Sequence, residues 1–408
     1  MKHTVDQTHI RSINQRVLLD KIYSRRHISR ADLARELHAS KAAVTVNIAS
    51  LLSKGIIQEV GTGVSMSSGG RKPILLKFNN TYQYIVAIEL NFEDPIFVLA
   101  DLDGEILNKF TISIPEASSY STRLKYVLNA VKSLISLSKL DSSKLAIIAI
   151  SCPGIYDSVT RNFIASPNFA NWNIGDLSQQ LESHFNTSVL VVNDVNSAAL
   201  GEFTYGAGKS AKNLIYISGG LGIGAGIILN GTIFGGTYNC AGEISYEITI
   251  ENDLSSARKY SFNNLVDSTK ISAFMAKVRN EAPKKTSDAF AALGKSLETS
   301  TFKDLIKVWQ GGDSFLEQCI EDIAVIIGGT ISNIVCLLNC DLVIFGGEYS
   351  VFNSQILPIL NRIVKENAFM PVRVVPALLG ENSGVYGLFS LSRNIIFDKL
   401  CNSDHSKS

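Results

Sequence analysis

Apolar residues recur along this chain with two different periods, and the change of period divides it. From about Thr8 to Ser24, Ile10, Ile13, Val17, Leu18 and Ile22 fall at helical spacing and predict a first helix. After "RRHIS", Ser29 with Asp32 three residues on predicts a capped second helix, with Leu33 and Leu37 on its apolar face. A third helix starts at Ser40, a good N-cap, and runs through "KAAVTVNIASLLSKG" to a terminating Gly55. Its apolar face is Val44, Ile48, Leu51 and Leu52, and its opposite face offers Lys41, Thr45 and Asn47. The short turn "HAS" joins the last two helices into a helix-turn-helix, a unit whose second helix enters a DNA major groove. "GIIQEVGTGVSMSSGGRKPILLKF" then reads as a strand, a Gly/Ser-rich tip and a second strand, a wing with Arg71 and Lys72 at its tip.

From Tyr84 the pattern turns to strands. "YIVAIEL" and "PIFVLADLDGEIL" form a hairpin series with a turn at Asp103-Gly104. A helix over Thr122–Ser138, the strand "LAIIAIS", a Pro153-Gly154 loop, a helix over Asp176–Phe185 and the buried strand "SVLVVND" follow. "VNSAALGEF" opens a further helix, and the hairpin series restarts with "NLIYIS", a turn made almost wholly of glycine, and "AGIILNGTIF" with its Asn230-Gly231 turn. This duplication predicts an α/β fold of two lobes facing a cleft. The apolar stretch "IAVIIGGTISNIVCLLNCDLVIFGG" is broken by Thr330, Ser332, Asn333, Asn339 and Asp341, so it predicts a buried helix running into a buried strand rather than a membrane span.

Composition adds boundaries. A chain of 408 residues, 46% hydrophobic and 18% charged, is expected to form two or three globular domains. Residues 1–16 are polar and charged, without a signal-peptide core, so a cytoplasmic location is expected. The six cysteines are dispersed without a Cys-x-x-Cys pair, and neither a metal site nor a histidine-based triad is visible. Net charge is +1, yet residues 1–78 hold 13 Lys and Arg against 5 Asp and Glu, a local +8, while the remainder carries −7. A basic head on an acidic body confines any polyanion contact to the head. The division expected is 1–78, a winged helix-turn-helix, and 79–408, the two-lobed body. Ser40, Lys41, Thr45, Asn47, Arg71 and Lys72 are the candidate DNA contacts.

In open α/β sheets, ligands lie beyond the carboxyl ends of strands. Asn193, Asp194 and the Pro153-Gly154 loop occupy that place, and an Asn-Asp pair suits vicinal hydroxyls. Asp194 could equally cap the helix that follows. Glu243, in "CAGEISYE" after a Gly-rich loop, is a further candidate or an exposed turn residue.

Taken together, "ISRADLARELHASKAAVT", "GGRKPILL", "SPNFANW", "VVNDVNSAALGE", "GLGIGAGIILNG" and "CAGEIS" resemble the ROK family of sugar-responsive repressors and sugar kinases, over residues 10–395. The resemblance is closer to the xylose- and N-acetylglucosamine-type repressors, which carry an N-terminal winged helix. It implies an actin-like two-lobed domain, a homodimer or higher oligomer, and sugar-binding positions at Asn168, Asn193, Asp194 and Glu243. In the family's kinases the aspartate matching Asp194 is the general base toward the sugar hydroxyl.

Departures from the family pattern change the expected activity. The kinases' first Gly-rich phosphate turn aligns with Glu89, Asn91, Phe92 and Glu93, where bulk and negative charge replace glycine. Close like charges of this kind repel a polyphosphate by roughly 1–4 kcal/mol per pair. The second loop keeps Gly220, Gly222, Gly224 and Gly226, but Leu221 stands where a threonine is usual. Tyr246 occupies the position of a zinc-binding histidine, residues 247–275 contain neither Cys nor His, and Val266 falls nearest the place of a final sugar-binding glutamate. The expectation is a repressor of carbohydrate-utilisation genes with no catalytic residue, cofactor or metal, responding to a sugar and binding operator DNA, away from any membrane. A sugar kinase with a DNA-binding head, or an oligomeric repressor without a small ligand, are the alternatives. Arg71→Ala or Lys72→Ala is expected to weaken DNA binding alike on all sequences and to lower the log–log salt slope by about 1, measured by fluorescence anisotropy across a salt series.

Overall fold

The fold was read from a computed structural model, which describes residues 7–63, 72–91, 94–115, 117–157, 160, 162–165, 172–251 and 261–402. The head begins with α1 (Gln7–Arg25), β1 (Ile28–Ser29), α2 (Arg30–Glu36) and α3 (Lys41–Ser53), followed by β2 (Ile57–Thr62) and β3 (Ile74–Phe78). The three strands pair antiparallel in the order β1-β3-β2. Ser29 Oγ accepts from Asp32 N at 3.1 Å, and Ser40 Oγ from Ala43 N at 3.2 Å, so both helix starts are capped where the sequence places them. On α1 the apolar face differs from the one periodicity suggests. Leu18, Leu19 and Ile22 are buried, but Ile10, Ile13 and Val17 stay 45%, 50% and 44% exposed. The helix docks through Ser12, Gln15, Leu18, Leu19 and Ile22, which turns the other apolar edge outward.

The body opens with β4 (Tyr84–Glu89), β5 (Ile96–Asp101), β6 (Ile106–Thr111), α4 (Tyr120–Leu137), β7 (Leu145–Cys152), the small hairpin of β8 (Ile155–Asp157) and β9 (Asn162–Ala165), α5 (Ile174–Phe185) and β10 (Ser188–Asn193). Then come α6 (Asp194–Thr204), β11 (Leu214–Gly219), β12 (Ile223–Leu229), β13 (Thr232–Ile233), β14 (Ile248–Glu251) and β15 (Ser261–Asn264). A helical block follows: α7 (Leu265–Thr269), α8 (Ile271–Glu281), α9 (Lys284–Ala292), α10 (Phe302–Gln310) and α11 (Ser314–Leu338). The chain closes with β16 (Leu342–Gly346), α12 (Asn353–Asn367), β17 (Val374–Pro376) and α13 (Ser383–Asn402).

The duplication seen in the sequence is a duplication of topology. One sheet runs β6-β5-β4-β7-β10 and the other β13-β12-β11-β16-β17, each an antiparallel meander continued by two parallel strands. Asn230 and Gly231 take φ of 53° and 77°, the two positive values a type I′ hairpin turn requires. Both faces of the first sheet are covered. Val86, Ile88 and Leu99 face α4 and α5, whereas Ile85, Ala87 and Val98 face α13. α11 is long and apolar enough to cross a bilayer, but Ile320, Ile323, Ala324, Ile327 and Ile331 are buried in the core of the second lobe.

Two helices form the layer between the sheets. α6 packs on the second sheet through Ala198, Ala199 and Leu200, and α13 on the first through Val385, Leu388 and Phe389. They touch backbone to backbone. A Cβ on Gly201 would lie 2.0 Å from Ser383 O, and one on Gly387 would lie 1.7 Å from Ser197 O. Gly224 and Gly226 of β12 serve the same end, since a Cβ on the latter would meet Ala199 Cβ at 2.4 Å. Much of the glycine of "GLGIGAG" is thus required by helix–sheet packing, which needs no phosphate to explain it.

The head shares a core with the body. Tyr23 packs edge-on against Phe78 and Phe397, with centroids 5.8 Å away in both cases, and Leu19, Ile22 and Phe78 join the same apolar cluster as Leu388, Phe397 and Leu400. Arg16 reaches Asp398 and donates to Asn394 O at 2.9 Å. The expected boundary at 78/79 falls between β3 and β4, at a junction held by α13.

Candidate effector site and nucleic-acid interface

The recognition helix of the head exposes Lys41, Ala42, Thr45, Val46 and Ala49. Ser40 is its N-cap, and the Thr45 hydroxyl donates to Lys41 O at 2.7 Å. Asn47 departs from the expected arrangement. It shares the inward face with Val44, Ile48 and Leu51, is 7% exposed, and donates through Nδ2 to Ala43 O at 2.9 Å. In this position it cannot present its amide to a base edge. Sequence reading missed Val46, which is 63% exposed and offers an apolar surface of the kind that meets a thymine methyl. Its signal was its place one residue beyond Thr45, off the apolar stripe. Lys72 is exposed beside β3, while Arg71 lies outside the described residues.

In the body, the cleft side chains come from the ends of three segments. Asn193 ends β10 and caps α6, with Oδ1 accepting from Asn196 N at 3.0 Å and Nδ2 donating to Gly154 O at 3.1 Å. The cap of α6 is thus Asn193 and not Asp194, the residue for which the sequence left cap and ligand contact open. Asp194 is the first helical residue, its Oδ1 accepting from Val195 N at 2.8 Å. Burial, reinforced by the nearby charge of Glu348, raises its carboxyl to about 6 against the opposing backbone hydrogen bonds. Glu89, at the end of β4, is raised to about 7 by burial first and then by Asp194, with Glu381 and Glu348 adding and Lys109 opposing. Its Oε2 is buried and has no hydrogen-bond partner among the described residues. Glu243 is raised by burial and by Asp194. It is held near the cleft because Gly242, at φ +93°, accepts from Ala225 N at 2.8 Å, where any Cβ would strike Ala225 O at 1.8 Å.

Glu89 and Glu243 thus each feel the charge of Asp194, and Glu348, which the sequence reading did not single out, acts on Glu89 and Asp194. Its signal was a carboxylate directly after Gly346-Gly347 at the end of a strand. Asn168 lies outside the described residues, as do Phe92 and Glu93. Val266 packs against the core of the second lobe, and Tyr246 is 58% exposed. These carboxylates offer acceptors to hydroxyls, and each opposes the approach of an anion to the extent that it is ionised.

A polar cluster joins this cleft to the head. Tyr205 follows α6, and its hydroxyl accepts from Arg393 Nη1 at 2.5 Å, while the same nitrogen donates to Tyr23 OH at 2.6 Å. The Arg393 guanidinium lies 4.4 Å from the centre of the Tyr23 ring, Tyr23 OH donates to Asp103 at 2.8 Å, and Arg26 pairs with the same carboxylate. One eleven-residue helix thus has Asp194 at its start and Tyr205 just past its end.

A winged helix on a duplicated, two-lobed α/β body, with carboxylates gathered at its strand ends, defines the class: an actin-like fold bearing a DNA-binding-type head. The chain belongs to the ROK family, whose pattern it matches over residues 85–395. It is 26% identical over 403 residues to the xylose repressor of Bacillus subtilis, covering 97% of this chain and 98% of that protein. It is also 26% identical over 377 residues to the DNA-binding transcriptional dual regulator NagC of Escherichia coli, covering 91% and 90%. Among solved structures, a ROK family transcriptional regulator homologous to the E. coli MLC protein superposes with a TM-score of 0.77 at 22% identity, covering 96% of this chain and 98% of that one. A ROK glucokinase from Streptomyces griseus, in complex with glucose and AMPPNP, superposes at 0.65 with 22% identity, over 76% of this chain and 99% of its own. That likeness is one of fold.

Glu89 holds its proton more tightly in the folded state than the ordinary 4.5 of an exposed glutamate. Its contribution to stability is therefore full below about pH 4.5 and lost as pH rises through about 7. Glu89→Gln is expected to flatten the fall in unfolding free energy between about pH 5 and 8, by an order of 2 kcal/mol. Urea denaturation at a series of pH values checks it, and a slope unchanged by the substitution would contradict the burial of this carboxyl.

Proposed function

We propose that this chain is a sequence-specific DNA-binding repressor of carbohydrate-utilisation genes, acting in the cytoplasm as a homodimer or higher homo-oligomer. Its body senses a sugar or sugar derivative without phosphorylating it. Similarity along almost the full length to proteins named as xylose repressor and NagC supports the class. The observation that carries the mechanism is α6, with a candidate sugar contact, Asp194, at one end and the head junction, Tyr205, at the other. The contacts proposed for DNA are Lys41, Thr45, Val46, Arg71 and Lys72, with Ser40 positioning the helix. Those proposed for the sugar are Asp194 and Glu243 with Asn168, while Asn193 holds the Gly154 loop. A homodimer follows from the fixed spacing of operator half-sites.

In this mechanism the sugar's hydroxyls donate to the carboxylates of the cleft, and the ligand favours one arrangement of the lobes over another. Any shift in DNA affinity is bounded by that difference in sugar affinity. One feature favours a kinase as the second reading. Asp194 at about 6 is well matched to accept a proton from a sugar hydroxyl near neutral pH. The carboxylates around it argue the other way, because a nucleotide's phosphates would have to approach Glu89 and Glu348.

A thermal-shift screen against a sugar library, with D-xylose and N-acetylglucosamine as first members, is expected to find at least one stabilising ligand. That shift is expected to disappear in Asp194→Asn, while magnesium ATP produces none. No stabilising sugar would sink the sensor, and micromolar ATP affinity would restore the kinase.

A further inference from the structure

In the loop between β11 and β12, Gly220 N donates to Gly222 O at 2.9 Å, which closes the turn and leaves the Leu221 N–H as the donor on its outer side. Gly220 has no side chain, Gly222 has open space where a Cβ would stand, and the Leu221 side chain is 52% exposed. In this protein an anion is already there. Glu348 Oε2 accepts from Leu221 N at a long 3.4 Å, and it lies so close over Gly220 that a Cβ there would fall 1.9 Å from that oxygen. The same Cβ would lie 2.7 Å from Glu348 Cβ and Cδ, so the whole glutamate side chain is laid along the glycine.

The glutamate is held in place from behind. It follows Gly347, whose φ of +84° and lack of a side chain let the chain pass against β11. A Cβ at Gly347 would meet Gly219 O at 2.5 Å and Ser218 Oγ at 2.9 Å. Tyr349, the next residue, is buried and donates its hydroxyl to Thr269 O at 2.7 Å. Ile271 N in turn donates to Gly220 O at 2.8 Å, which fixes the loop from its other side. Glu348 is thus anchored at both neighbours while its carboxylate projects over the loop, and its charge is felt by Glu89 and Asp194.

We propose that Glu348 is an internal occupant of an anion site centred on the Leu221 N–H above Gly220. Its carboxylate takes the place that a phosphate or polyphosphate group would take, and it closes the second lobe to phosphorylated ligands. The proposal rests on the non-catalytic reading of the cleft and supplies a local cause for it. Two effects act together. The side chain fills the approach to the Leu221 N–H, and its charge repels any anion that comes near. The exposed setting of Glu348 lets solvent screen the repulsion in part, so steric occupation is the larger effect for a small anion.

The test compares the unmodified chain with Glu348→Gly, Glu348→Ala and Glu348→Gln, using inorganic tripolyphosphate and magnesium ATP as probes in isothermal titration. Each variant is first checked by circular dichroism and melting. The unmodified protein is expected to show no saturable binding up to millimolar tripolyphosphate. Glu348→Gly and Glu348→Ala are expected to bind it at least tenfold more tightly, with the Leu221 amide resonance shifting on titration. Glu348→Gln, which keeps the bulk and removes the charge, is expected to fall between them and the unmodified chain.

A folded Glu348→Gly or Glu348→Ala variant that stays silent to tripolyphosphate would overturn the proposal. So would binding that leaves the Leu221 amide unmoved. If Glu348→Gly and Glu348→Ala do not fold, Glu348→Ser, which also removes the bulk and the charge, takes their place, and its silence to tripolyphosphate would overturn the proposal. Tight binding of magnesium ATP by the unmodified protein would overturn both this proposal and the non-catalytic reading, whereas silence in every variant leaves that reading standing.

Discussion

The contact between α6 and α13 is the constraint on which the rest of the architecture depends. Each helix covers the inner face of a different sheet, so the lobes meet wherever these two helices meet. Gly201 and Gly387 bring the backbones together at a distance no side chain would allow. Glu202 locks the crossing. It is fully buried, and its carboxylate accepts from Ala207 N, Leu378 N, Leu379 N and Ser383 Oγ at 2.8–3.1 Å. A buried carboxylate with four donors is well satisfied, and removing one of them, as in Ser383→Ala, is expected to cost about 1.5–3 kcal/mol. The second lobe, the start of α13 and the end of α6 are thereby tied through one side chain.

The same pair of helices explains why a cleft residue and the head belong to one mechanical unit. α6 starts at the carboxylates and ends beside Tyr205, and α13 starts against Glu89 and ends in the aromatic contact of Phe397 with Tyr23 and Phe78. A displacement of either helix along its axis therefore changes both ends. Arg393 occupies the meeting point. It is 7% exposed and donates to one hydroxyl from the head and one from the body, so both hydrogen bonds form only when head and body are in place.

Much of this was legible in the sequence. The helix-turn-helix, the wing, the duplicated hairpin series and the position of Asp194 all follow from short-range signals: caps, turns and alternation of apolar residues. What escaped was tertiary. Asn47 looks like a base-reading residue because a polar side chain on a recognition helix is usually turned outward, yet here it completes the inward face. The outward apolar edge of α1 could not be foreseen without knowing that α13 packs on its other side. The glycines of "GLGIGAG" fit a tight hairpin between packed strands as well as a phosphate loop, and the contacts with Val195 and Ala199 show what Gly224 and Gly226 are required for. Glu348 stands 127 residues from its partner Leu221, too far for any local pattern to reveal.

Arg393 gives the most direct access to the central claim, that occupancy of the cleft is transmitted to the head through the α6–α13 pair. The measurement is operator affinity, by fluorescence anisotropy, with and without a sugar that stabilises the protein, in the unmodified chain and in Arg393→Met. The account predicts that the variant still binds the sugar, with its thermal shift retained, while the effect of sugar on operator affinity collapses toward none. An unchanged sugar response in the variant would contradict it.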